Sequence, residues 1–325
     1  MGLLDIKPHQ VSRDLRGYSV MFYGAPKTGK TTTACQFPGA LLLAFEKGYS
    51  TIAGAMVQPI NTWSEFKKLF VEFKDPAVQE RFQTIVIDTA DIAYAYCEKY
   101  ICNRESDAKH DYQSVADIPY GKGYALAMEE FDECIRKILQ LGYGLVLISH
   151  EQDKTMKNER GEEYNQLIPT LDKRARLVCE RTCDIIGYCR QIYTENGNTV
   201  RMFMRESDRY VAGSRFKYTP ESIELTYDNL VKAIGDAIDA QESAVKGSTT
   251  AESYNMHKEE KHYDFPALMR EVQETVGTIM STRPEMEHKI VAIVDKHLGK
   301  GRKVSDCTAD QAELVDLILY DLKHL

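Results

Sequence analysis

Residues 24–31 read Gly24-Ala25-Pro26-Lys27-Thr28-Gly29-Lys30-Thr31, a complete G-x-x-x-x-G-K-[ST] phosphate-binding loop. Ahead of it, Tyr18-Ser19-Val20-Met21-Phe22-Tyr23 has the composition of a buried strand, and behind it Thr32-Thr33-Ala34-Cys35-Gln36 can open a helix. Strand, loop and helix in that order are the setting the motif requires. The two glycines let the backbone wrap close to phosphates, while successive N–H groups and the positive start of a helix hold the charge. In this reading Gly24 through Thr32 cradle the nucleotide, Lys30 reaches its β- and γ-phosphates, and the Thr31 hydroxyl ligates Mg²⁺. ATP and Mg²⁺ are the expected cofactors.

Working outward, Pro38-Gly39 marks a turn and Ala40-Leu41-Leu42-Leu43-Ala44-Phe45-Glu46 follows. An apolar run this short, bounded by turn signals, reads as a buried central strand ending on an acid. In an open parallel sheet ligands lie off the carboxyl ends of the strands, so Glu46 can face the γ-phosphate and orient a water; the alternative is a solvated strand-end acid. Thr62-Trp63-Ser64-Glu65 resembles a capping box, and Phe66, Leu69, Phe70 and Phe73 continue it at helical spacing, which predicts a helix over 62–82. Thr84-Ile85-Val86-Ile87-Asp88-Thr89 then makes a Walker B strand with Asp88 holding Mg²⁺. Thr89 stands where some ATPases carry a glutamate base, which leaves Glu46 as the leading water-activating candidate.

Residues 91–124 are polar and aromatic, and Pro119-Tyr120-Gly121-Lys122-Gly123-Tyr124 reads either as a mobile loop presenting stacking rings beside a cation or as an ordinary helix and turn. Residues 125–141 form an amphipathic helix. Gly144-Leu145-Val146-Leu147-Ile148-Ser149-His150 is a further strand, whose terminal His150 is either a γ-phosphate sensor or a structural histidine. Residues 151–166 read as a charged loop or hairpin. Lys173, Arg174, Arg176 and Arg181 then form the best local patch for a polyanion, with Glu180 among them. Two strands, 184–190 and 199–204, are joined by Glu195-Asn196-Gly197-Asn198, an Asn-Gly hairpin signal. Arg215 and Lys217, two residues apart, fall on one side if the segment is extended, where they can reach a neighbouring subunit's γ-phosphate. A last core helix is expected over 221–239.

Composition sets the limits. At 325 residues with a net charge of −8, the chain suits one large domain plus an appendage, and nucleic-acid binding must come from local basic loops rather than a global field. No run approaches the roughly 18 apolar residues of a membrane span, and the segment from Met1 to Lys7 lacks the apolar core of a signal peptide. A cytoplasmic protein with no membrane partner is expected, its eight cysteines reduced and mostly buried. The expected division is an ATPase core over 1–240, a polar linker over 241–264, and a small helical unit over 265–325 with a basic glycine loop, Gly299-Lys300-Gly301-Arg302-Lys303.

Taken together in this order, the strand-ending Glu46, Asp88-Thr89, Ser149-His150 and the pair Arg215 and Lys217 make residues 18–238 resemble the RecA-like ATPases. More closely, they resemble phage-encoded ATP-binding proteins grouped with RecA-type single-strand annealing proteins. The resemblance implies an α/β fold, a RecA-like P-loop core with a mostly parallel sheet flanked by helices. It further implies Glu46 as the water-activating carboxylate, the segments around Tyr120–Lys122 and Lys173–Arg174–Arg176 as DNA-contacting, and Arg215 and Lys217 as trans-acting at a subunit interface. RecA itself has glutamine where His150 stands, a departure at the sensing position. A Mg²⁺-dependent ATPase is expected that binds single-stranded DNA as a homo-oligomer and promotes annealing or recombination, in the host cytoplasm if phage-encoded. A single-strand DNA-binding protein or another replication protein would be its partner. A nucleotide-switched adaptor for replication proteins and a small-molecule kinase are the alternatives.

Overall fold

The computed structural model describes residues 9–194, 197–250 and 263–325. The chain divides into two compact units, Met1–His257 and Lys258–Leu325. In the first unit, β1 (Val11–Ser12) leads to β2 (Ser19–Gly24), the phosphate loop and the short helix α1 (Lys30–Ala34). Next come β3 (Ala40–Ala44), β4 (Met56–Pro59), α2 (Trp63–Glu72), α3 (Pro76–Arg81), β5 (Thr84–Asp88), α4 (Ala90–Glu105) and α5 (Lys122–Gln140). Then follow β6 (Gly144–Ser149), β7 (Glu151–Lys157), β8 (Glu163–Pro169), α6 (Lys173–Thr182), β9 (Ile185–Thr194) and β10 (Gly197–Phe203). The unit ends with β11 (Gly213–Ser214), β12 (Ser222–Glu224), α7 (Tyr227–Ala244) and β13 (Thr249–Thr250), the last pairing with β1.

The described residues build a nine-stranded sheet in the order β12-β10-β9-β2-β6-β5-β3-β4, with β11 also on β9. From β9 to β4 every pairing is parallel, and β10, β11 and β12 join antiparallel. Strands covered by helices on both faces must be apolar throughout, and β2, β5 and β6 are buried at every position. One face carries Met21, Leu43, Ile85, Ile87 and Leu147 against α2, α4 and α5; the other carries Phe22, Leu42, Val86 and Ile148 against α7. This is the expected RecA-like layering, a mostly parallel sheet between helices. Under the first layer the Glu130 carboxylate, 7 % exposed, accepts from Trp63 Nε1 at 3.0 Å and pairs with Lys67 Nζ at 2.7 Å. Burial pushes that carboxyl up, but Lys67 and Trp63 outweigh it and hold the group below its ordinary value.

Several boundaries differ from expectation. The predicted helix over 62–82 is two, because Pro76 has no N–H to continue α2; Asp75 instead caps a new start, accepting from the Ala77 N–H at 2.8 Å. At its first end Thr62 accepts from the Glu65 N–H, while the Glu65 carboxylate reaches back to the N–H of Asn61, one residue earlier than a capping box requires. Residues 119–124 form a tight turn running into α5, with Tyr120 at φ 61° and fully exposed. The last core helix starts only at Tyr227, because 222–224 add an edge strand to β10. That helix and β13 extend ordered structure into the expected linker, of which 251–262 lie outside the described residues, as do Glu195 and Asn196 of the predicted turn.

The second unit consists of α8 (Phe265–Thr282), α9 (Glu287–Leu298) and α10 (Ala312–Lys323). They close over Leu268, Val272, Ile279, Ile290, Leu298, Val315, Ile318 and Leu322.

Gly24 is the position where the fold tolerates least. Its φ is 148°, and a Cβ there would lie 2.0 Å from the Cys189 carbonyl oxygen on the neighbouring strand β9. Gly24→Ala should cost about 2 kcal/mol or more, since clash and strain add, read as a lowered midpoint in urea unfolding.

Candidate nucleotide site

At the carboxyl end of β2 the phosphate loop is shaped by three positive-φ residues: Gly24, Lys27 at 65° and Gly29 at 83°. Inside it the Lys30 ammonium, 5 % exposed, donates to the carbonyls of Gly24 at 2.9 Å and Ala25 at 2.8 Å. The Thr28 hydroxyl closes the loop on Ala25 O at 2.9 Å. Ala25 is half-buried, and Pro26, Lys27, Gly29 and Thr32 are exposed, leaving the outer rim of the loop open. Burial draws Lys30 below its ordinary value, and Asp88, Glu151 and Glu46 oppose that pull.

The Thr31 hydroxyl donates to Asp88 Oδ2 at 2.8 Å. β5 is not the neighbour of β2, because β6 lies between them, so this bond arches over the end of β6. Burial pushes the Asp88 carboxyl up to about 6, the Thr31 hydrogen bond works against it, and Glu46 adds to the rise. A hydroxyl and a carboxylate side by side are hard oxygen donors of the kind Mg²⁺ takes, and Thr31 and Asp88 would hold it here.

Glu46 sits just past β3, and the sheet places it exactly two residues beyond the last paired position, Ala44↔Asp88. Both Phe45 N–H and Glu46 N–H donate to the Asp88 carbonyl, at 2.7 and 3.2 Å, so Glu46 is fixed beside the Walker B carboxylate. Its Oε2 lies 3.6 Å from His150 Nε2, which projects from the end of β6. Glu46, Asp88 and His150 thus come from three adjacent strand ends and meet over Lys30 and Thr31. Sequence reasoning missed two acids here. Asp91, at the start of α4, accepts from Ser149 Oγ at 3.1 Å and Thr170 Oγ1 at 2.5 Å, and Glu151 lies on the β9 side within the field of Lys30 and Tyr188. Asp91 carries no motif of its own, and its partners are 58 and 79 residues away.

The two expected DNA-contacting segments adjoin each other. The Arg174 guanidinium on α6 lies 3.9 Å from the ring centroid of Tyr124 on α5. Lys122 is 3.4 Å from Glu105, Arg176 is 3.6 Å from Glu180, and Lys173 and Tyr120 are exposed. Arg215 and Lys217 part company: Arg215 turns to Asp184 Oδ1 at 3.0 Å and the Arg181 carbonyl at 2.6 Å, whereas Lys217 lies over Tyr218. The chain bends there because Arg205 gathers the carbonyls of Phe216, Lys217 and Thr219 into a turn. Arg215 also lines a cavity of about 260 Å³ with Arg136 and Arg181. All eight cysteines are free thiols, six of them buried. Among the described residues no group of three or more His, Cys, Asp or Glu side chains is arranged to hold a metal ion by itself, and no helix is long and apolar enough to cross a membrane.

Residues 16–216, which contain all of these strand ends, match the family model of the AAA domain. The chain belongs to the AAA-domain family. Across 324 residues it is 31 % identical to the SPbeta prophage-derived uncharacterized protein YorG of Bacillus subtilis (strain 168), covering 97 % of this chain and 95 % of that one. A KaiC-like protein from the hyperthermophilic archaeon Pyrococcus horikoshii OT3 is similar over 59 % of this chain and 80 % of its own, at 13 % identity and a TM-score of 0.35. The AAA domain here is a P-loop ATPase domain whose phosphate loop, Walker B strand and candidate water-orienting acid converge.

The raised Asp88 carboxyl has a consequence for stability. Its native value lies above the unfolded 3.8, so the native state binds the proton more tightly and charging Asp88 costs stability above about pH 6. Asp88→Asn keeps the acceptor for Thr31 and should stabilise the nucleotide-free protein by up to about 3 kcal/mol at pH 8. The gain should shrink as pH falls through about 6 and vanish below about 4, measured by urea unfolding across pH.

Proposed function

We propose that this protein is an ATP-hydrolysing, Mg²⁺-dependent AAA-domain ATPase of phage origin that binds single-stranded DNA and acts on it as an oligomer in annealing or recombination, in the host cytoplasm. The observation that carries hydrolysis is the placement of Glu46, fixed by its own N–H beside Asp88 and facing His150 across the phosphate loop. Lys30 binds and neutralises the β- and γ-phosphates, Glu46 orients water for in-line attack, and His150 faces the same oxygen cluster. Mg²⁺, held by Thr31 and Asp88, would supply charge neutralisation at the phosphates. The prophage origin of the Bacillus relative supports the phage reading. The DNA reading is supported by the pairing of Arg174 with Tyr124, a cation and a ring on adjoining helices, which is the combination single strands use for backbone contact and base stacking.

ATP turnover measured with and without single-stranded DNA across a salt series tests both parts. Turnover should rise with DNA, the rise should fade with salt, and both Glu46→Gln and Lys30→Ala should lose at least about 100-fold in kcat with an intact fold. Turnover indifferent to DNA, or a Glu46→Gln protein as active as the parent, would instead favour the nucleotide-switched adaptor. In direct binding, Arg174→Ala should weaken single-stranded DNA by about 1 kcal/mol and reduce the salt slope by about one, uniformly across sequences.

A further inference from the structure

The hairpin formed by β7 and β8 leaves the end of β6 at His150 and returns at Thr170, pairing Glu151 with Pro169 at its base. Its second strand is braced midway, where Leu167 N–H donates to Arg209 O at 2.8 Å and Tyr23 Oη donates to Leu167 O at 3.2 Å. The base has a different fastening. Asp91 Oδ1 accepts from Ser149 Oγ on the outgoing foot and from Thr170 Oγ1 on the returning foot, and the Thr170 N–H donates to His150 O at 3.0 Å. One carboxylate oxygen therefore holds both feet, while Asp91 Oδ2 and His150 Nδ1 are sealed from solvent with no hydrogen-bond partner. With Nδ1 unheld, the imidazole's polar anchor is the contact of Nε2 with Glu46 Oε2 at 3.6 Å, and reaching it depends on where the His150 backbone carries the ring.

We propose that Asp91 is a positioning residue: by clasping both feet of the β7–β8 hairpin it fixes the His150 backbone, and so holds Nε2 towards Glu46 over the phosphate loop. This rests on the hydrolytic reading of Glu46. Asp91 acts through two neutral hydroxyl donors, so it needs an acceptor oxygen rather than a base. Asp91→Asn preserves Oδ1, replaces the unpartnered Oδ2 with an amide, and removes a half-buried charge that burial already pushes above its ordinary value.

Three variants, Asp91→Ala, Asp91→Asn and the double variant Ser149→Ala with Thr170→Val, are compared for ATP kinetics, for affinity towards a fluorescent ATP analogue, and for hydrogen exchange at the Thr170 amide. Asp91→Ala should lower kcat by about 10- to 100-fold with KM and nucleotide affinity within about threefold, and should speed Thr170 exchange at least about tenfold. The double variant should reproduce both effects with Asp91 in place, and Asp91→Asn should recover kcat to within about threefold of the parent. An Asp91→Asn protein as slow as Asp91→Ala would make the carboxylate a proton carrier and overturn the proposal. Unchanged Thr170 exchange in Asp91→Ala, or nucleotide affinity falling in step with kcat, would overturn it too. If the parent protein hydrolyses no ATP, the functional reading fails by itself, and the exchange data still decide whether the clasp exists.

Discussion

The hydrogen bond from Thr31 to Asp88 crosses a strand that belongs to neither of them. β2 and β5 flank β6, so the loop must bridge two strand spacings, about 10 Å, over the carboxyl end of β6. That geometry constrains everything around it. β6 must end on a small residue that does not block the bridge, and it ends on Ser149, fully buried and turned to Asp91. Gly24 must leave β2 without a side chain, since the Cys189 carbonyl of β9 closes the other flank. Phe45 and Glu46 must break from β3 together at the Asp88 carbonyl, which puts the acid at the bridge rather than above it.

Charge follows from the same convergence. Glu46, Asp88, Asp91 and Glu151 stand about one buried lysine and one histidine, and the rise of the Asp88 carboxyl records how poorly a buried position beside another acid tolerates a negative charge. Lys30 is drawn down by burial even so, which means that its two loop carbonyls and nearby acids only partly replace lost hydration. A site of this composition suits a polyphosphate that arrives with a divalent cation better than a bare anion.

The central strands were legible because a parallel strand buried on both faces can only be written as an apolar run; 19–24, 40–44, 84–88 and 144–149 needed no further signal. Their final polar residues were legible for the same reason, standing out against those runs. The edge strands at 56–59 and 222–224 were not, because half-exposed edges carry mixed sequences with no period. Asp91 was invisible for a different reason: its role depends on Ser149 and Thr170 arriving from other strands, and nothing in the tripeptide around it announces that. The Tyr120 segment stayed open in the sequence because Pro, Gly and Lys describe a mobile loop and a helix start equally well, and the close approach of Gly123 to Val115 O and Ile118 goes with the second of these, a turn running into a helix.

Arg215 meets a constraint that no local reading could supply. It hangs from Asp184, whose N–H donates to the Ser19 carbonyl at the amino end of β2, while the phosphate loop springs from the carboxyl end of the same strand. The five residue steps of extended chain from Ser19 to Gly24 separate the two ends by about 17 Å, well beyond the reach of an arginine side chain. Arg215 therefore cannot serve the nucleotide bound to its own loop. Its guanidinium, which shares a cavity with Arg136 and Arg181, is instead committed to Asp184 and the Arg181 carbonyl as a brace for the start of β9.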